Sequence, residues 1–266
     1  MGTRRYRIEE VIGTGGFGAV YRATFLGDDG FEKPVALKLV GASQQRDARE
    51  RLIDEARILG RMQHRAIPTV DALFTLTDGR KALVMEYVPG ADLSRIGGRI
   101  PRLPVGPLAA IAAEVASALD SASRAPGPRG SVELVHRDIK PSNLMLTPAG
   151  HVKLLDFGIA RGDLDRVSKT ARDETLGTTN YMAPEAFEGA PIPASDVYSL
   201  ALTMLRLRGV ELDEILGLQP PEFHDTVARR RVDAAELPRP IATLLIRMLS
   251  SRATDRPTAA DVAQRL

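Results

Sequence analysis

Apolar residues recur along this chain at two spacings, and the change from one to the other divides it. Up to about residue 88 the pattern is mostly that of strands, with short apolar runs at 6–12, 19–26, 34–40, 70–76 and 82–87. One stretch differs. Across 46–62 the spacing predicts a helix, with Leu52, Leu59 and Met62 on one stripe. Pro89-Gly90 interrupts the pattern, and beyond it long Ala- and Leu-rich helical segments follow at 107–123, 196–207 and 241–249. The Pro- and Gly-rich segment 124–131 is expected to be an exposed, irregular loop. The prediction is a small β-rich region built around one helix, about 1–88, followed by a larger helical region, 89–266.

Two polar residues sit badly in this pattern. Lys38 ends the apolar run Val35-Ala36-Leu37-Lys38. A lysine there can snorkel from a strand edge, but Glu55 shares the apolar stripe of the predicted helix. A carboxylate facing a core needs a cation, and Lys38 is the natural partner. Glu50 and Asp54 fall off the stripe and are expected in solvent.

Between the first two strands lies Gly13-Thr14-Gly15-Gly16-Phe17-Gly18-Ala19-Val20, a G-x-G-x-x-G-x-V string. Glycines let backbone N–H groups approach phosphate oxygens. A dinucleotide site uses a similar string, and a plain hairpin turn is the simplest alternative. In a dinucleotide site a helix follows, whereas Val20 to Phe25 favour a strand. About twenty residues on, where a ribose-binding acid would be sought, stands Lys38.

The densest chemistry lies further on. His136-Arg137-Asp138-Ile139-Lys140-Pro141-Ser142-Asn143 precedes Asp156-Phe157-Gly158. Residues 144–146 and 151–155 can pair as a hairpin and bring Asn143 and Asp156 to its open end. One amide oxygen and one carboxylate beside polyphosphate suit Mg²⁺, which takes few protein ligands. Asp138 can then orient or deprotonate an incoming hydroxyl, and Lys140 can offset phosphoryl charge. Any single Asp of this kind is more often a turn or cap residue; the whole string at its spacing argues otherwise.

Composition narrows the choice. The 266 residues, 44% hydrophobic, can bury a sizeable core, and with no cysteine, disulfides and thiolate metal sites are excluded. A formal charge of +2 gives no support to nucleic-acid binding. No apolar run approaching the ~20 residues of a membrane span is expected, and the N-terminus lacks a signal-peptide core.

These motifs together resemble a Hanks-type (eukaryotic-like) serine/threonine protein kinase, of the sort many bacteria carry, from about Tyr6 to Leu266. The resemblance implies an α+β, two-lobed fold with ATP in the cleft and Mg²⁺ or Mn²⁺ as metal. It implies an ATP site formed by Ile12, Gly13, Thr14, Gly15, Gly16, Phe17, Gly18, Val20, Ala36 and Lys38. Glu86 and Val88 would lie at the adenine hinge, beside Met85 as gatekeeper, and Asp92 near the ribose. It assigns Asp138 as catalytic base with Lys140 beside it, Glu55 as the partner of Lys38, and Asn143 and Asp156 as metal ligands. Ala183-Pro184-Glu185 matches an A-P-E element with Arg256 as its ion-pair partner, and Asp196 the buried aspartate that steadies the catalytic loop. Protein substrates carrying Ser or Thr are implied, as is a cytoplasmic domain. Relatives often continue into a linker, a membrane helix and a sensor domain, and related domains can pair through their small lobes. Arg137 commonly receives a phosphate from the activation segment, whose candidates here are Ser168, Thr170 and Thr175.

The chain departs from the family in two places. The glycine usual after Asp196-Val197-Tyr198-Ser199 is absent, and a Gly-x-x-Pro-Phe stretch is replaced by Arg208-Gly209-Val210-Glu211-Leu212-Asp213. Neither removes a group that does chemistry, but the second puts substrate docking in doubt. Two rival readings remain: a pseudokinase scaffold, against which Lys38, Asp138 and Asp156 all stand, and a small-molecule kinase, against which the A-P-E element stands.

Overall fold

A computed structural model describes residues 5–15, 18–40, 46–127, 130–132, 134–157, 179–212 and 215–266. The chain divides into two units, 1–63 with 67–89, and 64–66 with 90–266.

The first unit is an antiparallel sheet of β1 (Arg5–Gly15), β2 (Gly18–Leu26), β3 (Glu32–Val40), β4 (Val70–Thr75) and β5 (Lys81–Glu86), in the order β1-β2-β3-β5-β4. Side chains alternate across a strand, and β3 shows what that does. Val35, Leu37 and Leu39 enter one core with Ala23, Ala82 and Val84, edged by Tyr6, Phe25 and Phe74. On the other face Val40 and Leu83 pack with Leu52 and Ala56 of α1 (Arg46–Leu59). The helix stops at Leu59, short of the expected 62. Gly60 follows, a poor helix former, and its N–H closes on the Ala56 carbonyl at 2.9 Å. Met62 is still buried, and Glu50 and Asp54 are exposed as expected.

The second unit takes in a short strap. The Ala66 carbonyl accepts from the Leu154 N–H at 2.7 Å, His64 Nε2 meets Ser117 Oγ at 3.0 Å, and Arg65 pairs with Glu114. At Gly90, φ is +144° and a Cβ would lie 2.1 Å from the Leu146 carbonyl oxygen, so only glycine fits. From there run β6 (Ala91–Asp92), α2 (Leu93–Arg99), α3 (Val105–Ser123), β7 (Ala125–Gly127), β8 (Gly130–Val132), β9 (Leu144–Leu146) and β10 (Val152–Leu154). Next come α4 (Pro184–Phe187), α5 (Pro193–Leu207), α6 (Pro221–Ala234), α7 (Arg239–Met248) and α8 (Ala259–Arg265). The helix α5 is buried on almost every side, from Ser195 through Leu205, and forms the centre of the unit.

One expectation needs a closer look here, and one is corrected. By length and composition α3 is apolar enough to cross a membrane. Leu108, Ile111, Ala112, Val115 and Leu119 are nevertheless buried, and the helix packs on α5 and α8, so it is a core helix. Of the segment expected to be irregular, residues 125–127 and 130–131 are strand: β7 and β8 pair antiparallel, with Pro126 opposite Ser131. Both strands of a two-stranded ribbon are edges, so a proline without an N–H is tolerated there.

Candidate active site

In the first unit the register of the sheet gathers several predicted residues on one face. Val20 lies opposite Lys38, and Ala36 opposite Met85; facing partners share a side of the sheet. Lys38 therefore projects on the side covered by α1. Its Nζ meets both carboxylate oxygens of Glu55 at 3.0 Å. The side chains are 19% and 3% exposed, so the carboxylate is buried and balanced by its partner.

Gly13, Thr14 and Gly15 pair with Val20, Ala19 and Gly18 at the end of the β1–β2 ribbon, and Ile12 is exposed. Gly18 has a reason of its own to be glycine. Its φ is +143°, and a Cβ would lie 2.0 Å from the Leu39 carbonyl oxygen. Gly16 and Phe17 lie outside the described residues. At the end of β5 the Glu86 N–H donates to the Thr69 carbonyl at 2.8 Å, and Val88 is buried.

In the second unit a loop joins β8 to β9 and is held from below by Asp196. Its carboxylate accepts the N–H groups of His136 at 2.6 Å and Arg137 at 2.8 Å. Burial pushes the Asp196 carboxyl up to about 7, and the two N–H donors pull against that. The bonds hold Arg137 at φ +68°, a left-handed conformation costly for a residue with a Cβ. The His136 ring is buried and lies 4.6 Å from that of Phe157. Its Nδ1 accepts from the Asp138 N–H at 3.3 Å, which leaves Nε2 as the donor to the Leu155 carbonyl at 3.0 Å. One imidazole thus ties the loop carrying Asp138 to the segment carrying Asp156.

Asp138, Lys140 and Asn143 converge. Lys140 Nζ lies 3.1 Å from Asp138 Oδ1. Asn143, in a 3₁₀ turn begun by Pro141, donates from Nδ2 to the Asp138 carbonyl at 2.8 Å and to its Oδ2 at 3.0 Å. The Leu155 N–H donates to the Asn143 carbonyl at 2.8 Å. The β9–β10 hairpin therefore does bring Asn143 next to the start of Asp156-Phe157. Asp156 is exposed and holds φ +53°. Because the amide nitrogen of Asn143 is committed to Asp138, its oxygen is the atom left to face a metal. An amide oxygen and an exposed carboxylate one hydrogen-bonded step apart are hard donors that fit Mg²⁺ or Mn²⁺.

Asp92 has work within the fold. It caps α2, accepting from the N–H groups of Ser94 at 3.1 Å and Arg95 at 3.0 Å, and pairs with the Arg95 side chain. Burial raises its pKa, but the hydrogen bonds from Ser94 and Arg95 outweigh this and hold it below the usual range. Glu185 and Arg256 form a two-pronged pair at 2.6 and 2.9 Å.

A protein-family model described as "Protein kinase domain" matches residues 6–266. The chain belongs to that family. The serine/threonine-protein kinase PknK of Mycobacterium tuberculosis is 36% identical over 265 residues, 97% of this chain and 23% of that protein. The serine/threonine-protein kinase pkn3 of Myxococcus xanthus is 33% identical, over 97% of this chain and 48% of its own length. This domain thus spans less than half the length of these curated relatives. Among solved structures, the M. tuberculosis PknI kinase domain is similar with a TM-score of 0.67 at 30% identity, covering 98% of this chain and 94% of that one. The β-rich first unit and helical second unit are the two lobes of the kinase fold.

Several residues of this kinase domain that organise the site escaped the reading of the sequence. His136 was visible in its string without a role, since its two bonds join segments 19 residues apart. Ser195 donates to Glu185 at 2.5 Å, and Ser199 to the Tyr181 carbonyl at 2.6 Å. Their place one turn apart on α5, beside Asp196, was the available signal. The activation-segment candidates Ser168, Thr170 and Thr175, and Gly158, lie outside the described residues.

Proposed function

We propose that this domain transfers the γ-phosphate of ATP to serine or threonine hydroxyls of protein substrates, with Mg²⁺ or Mn²⁺ as the bound metal. The observation that carries this is the convergence of Lys140 and Asn143 on Asp138, at 3.1 Å and 3.0 Å. Asn143 and Asp156 would hold the metal, which supplies charge neutralisation on the phosphate oxygens. Lys38, kept in place by Glu55, would bind the α- and β-phosphates, and the backbone from Gly13 to Gly18 would cover them. Asp138 would set the substrate hydroxyl in line and accept its proton, with Lys140 offsetting charge on the transferred group. The chemistry of the chain's own residues is mostly positioning, which suits a loop fixed at Asp196 and His136.

The test is Asp156→Asn, which keeps the shape and removes the charge. Transfer to a generic protein substrate should fall about 10³-fold, with melting temperature and circular dichroism unchanged. Chelator should abolish wild-type activity, and Mg²⁺ or Mn²⁺ should restore it. Turnover in metal-free buffer, or near-native turnover by the variant, would exclude the assignment. Nucleotide binding without any transfer would favour a scaffold instead.

A further inference from the structure

The three residues at the expected adenine hinge are each held in a different way. Glu86 is clamped by Thr69: its N–H donates to the Thr69 carbonyl at 2.8 Å, and its carboxylate accepts the Thr69 N–H at 3.1 Å. Val88 is buried. Tyr87, between them, is half-buried, and its ring is covered by a cation from β2. The guanidinium carbon of Arg22 lies 5.2 Å from the ring centre, inside the ~6 Å over which an aromatic face attracts a cation.

The sheet places this cation. β3 runs between β2 and β5. Arg22 lies opposite Ala36 and Ala36 opposite Met85, so the three share one row on one face. A methyl group in the middle leaves the long side chain free to cross toward Tyr87, two residues past Met85. The guanidinium is tethered from β1. Its Nε lies 2.9 Å from Glu9 Oε2 and its Nη1 3.4 Å from Glu10 Oε1, and Thr24 Oγ1 donates to the other oxygen of Glu9. Consecutive residues of a regular strand point to opposite faces, so two neighbouring glutamates would not both reach one arginine. They do here because the β1–β2 register shifts between Ile8 and Glu10; such a bulge takes Glu9 out of the ladder and re-aims its side chain. With Arg22, Glu9 and Glu10 side chains 41%, 30% and 58% exposed, these ion pairs add little to stability. What they fix is the place of a cation on the hinge.

We propose that Arg22 is a positioning residue for ATP: set by Glu9 and Glu10, it stacks on Tyr87 and fixes the hinge peptides that adenine would bond. It thereby ties the β1–β2 ribbon, whose glycine turn would cover the phosphates, to the adenine end of the same site. Neither Arg22 nor Tyr87 touches a reacting atom, so their loss acts on nucleotide affinity and leaves the transfer step alone. This inference rests on the kinase reading above, since without ATP the hinge has no ligand to position.

The experiment is steady-state kinetics with Mg-ATP and a generic protein substrate on two variants. Arg22→Met keeps the aliphatic stem and removes the charge, and Tyr87→Leu keeps an apolar side chain and removes the ring. Each should raise KM for ATP about fivefold, the worth of one such contact. At saturating ATP, kcat should hold, as should KM for the protein substrate and the melting temperature. The double variant should be no worse than either single one, because both remove the same contact. Tyr87→Phe, which keeps the ring, should match wild type. An unchanged KM for ATP in the single variants, additive effects in the double variant, or a kcat that falls together with the melting temperature overturns the proposal. Wild type that binds ATP and transfers nothing overturns the kinase reading and the proposal with it.

Discussion

Each unit contains a two-pronged ion pair with a glutamate, and the two pairs are built differently. In the first unit Lys38 reaches Glu55 from β3, and the partner sits on α1. In the second, Arg256 reaches Glu185 and also donates to the carbonyls of Ser250 and Ala194 at 2.9 and 3.1 Å. Its guanidinium lies 4.8 Å from the centre of the Tyr198 ring and is fully buried. The lysine is a point charge on a flexible stem, whereas the arginine is a planar fork with its donors occupied. Phosphate oxygens can share the lysine. The arginine has no such latitude, because its surroundings are packed protein. Burial alone does not tell the two pairs apart; the geometry of the cation and the groups packed around it do.

The largest effect should come from Lys38→Met. We expect kcat/KM to fall about 10³-fold while the melting temperature changes by only a few degrees, because α1 can shift and hydrate Glu55. Steady-state kinetics and a thermal melt check this; a stability loss as large as that of the arginine variant would erase the contrast. Arg256→Ala should cost ~3 kcal/mol of stability, since it strands a half-buried carboxylate and several carbonyls. Urea unfolding would measure it.

Arg256→Lys should cost ~1 kcal/mol, the value of hydrogen bonds a single ammonium cannot make. A neutral result in the same urea assay would mean that charge alone matters there. Glu185 adds a pH signature. Burial raises its pKa, but the bonds from Arg256 and Ser195 prevail and hold it below the usual range. That stabilisation is present above the unfolded value near ~4.3 and is lost as pH falls through the lowered folded value.

The smallest effect lies behind the same pair. The phenol of Tyr198, whose pKa burial raises, donates to His224 Nε2 at 3.0 Å. Burial lowers the pKa of His224, so it stays neutral where the unfolded chain takes up a proton near ~6.5. The unfolded state then binds more protons, and stability should drop as pH falls below that value. His64, lowered by burial as well, acts in the same sense. His224→Gln should remove part of this slope, by ~1 kcal/mol or less, in melts between pH 7.5 and 5.5. An unchanged slope would show that the histidine titrates alike in both states.

The sequence by itself determined the five strands of the first unit and the helices α1, α3, α5 and α7, because alternation at period two and stripes at period 3.6 survive without any partner. It also determined the Lys38–Glu55 pair, since a carboxylate on an apolar stripe has few ways to be tolerated. The strings around Asp138 and Asp156 marked the candidate site, with their roles implied by the family resemblance. Only the tertiary structure decided that α3 is a core helix, because its composition fits a bilayer as well as a protein interior. It turned the Pro- and Gly-rich segment after α3 into a hairpin, and it gave Asp92 a helix to cap. It joined His136 to Leu155 and Asp196 to the two N–H groups beside Asp138, across separations that no local period records.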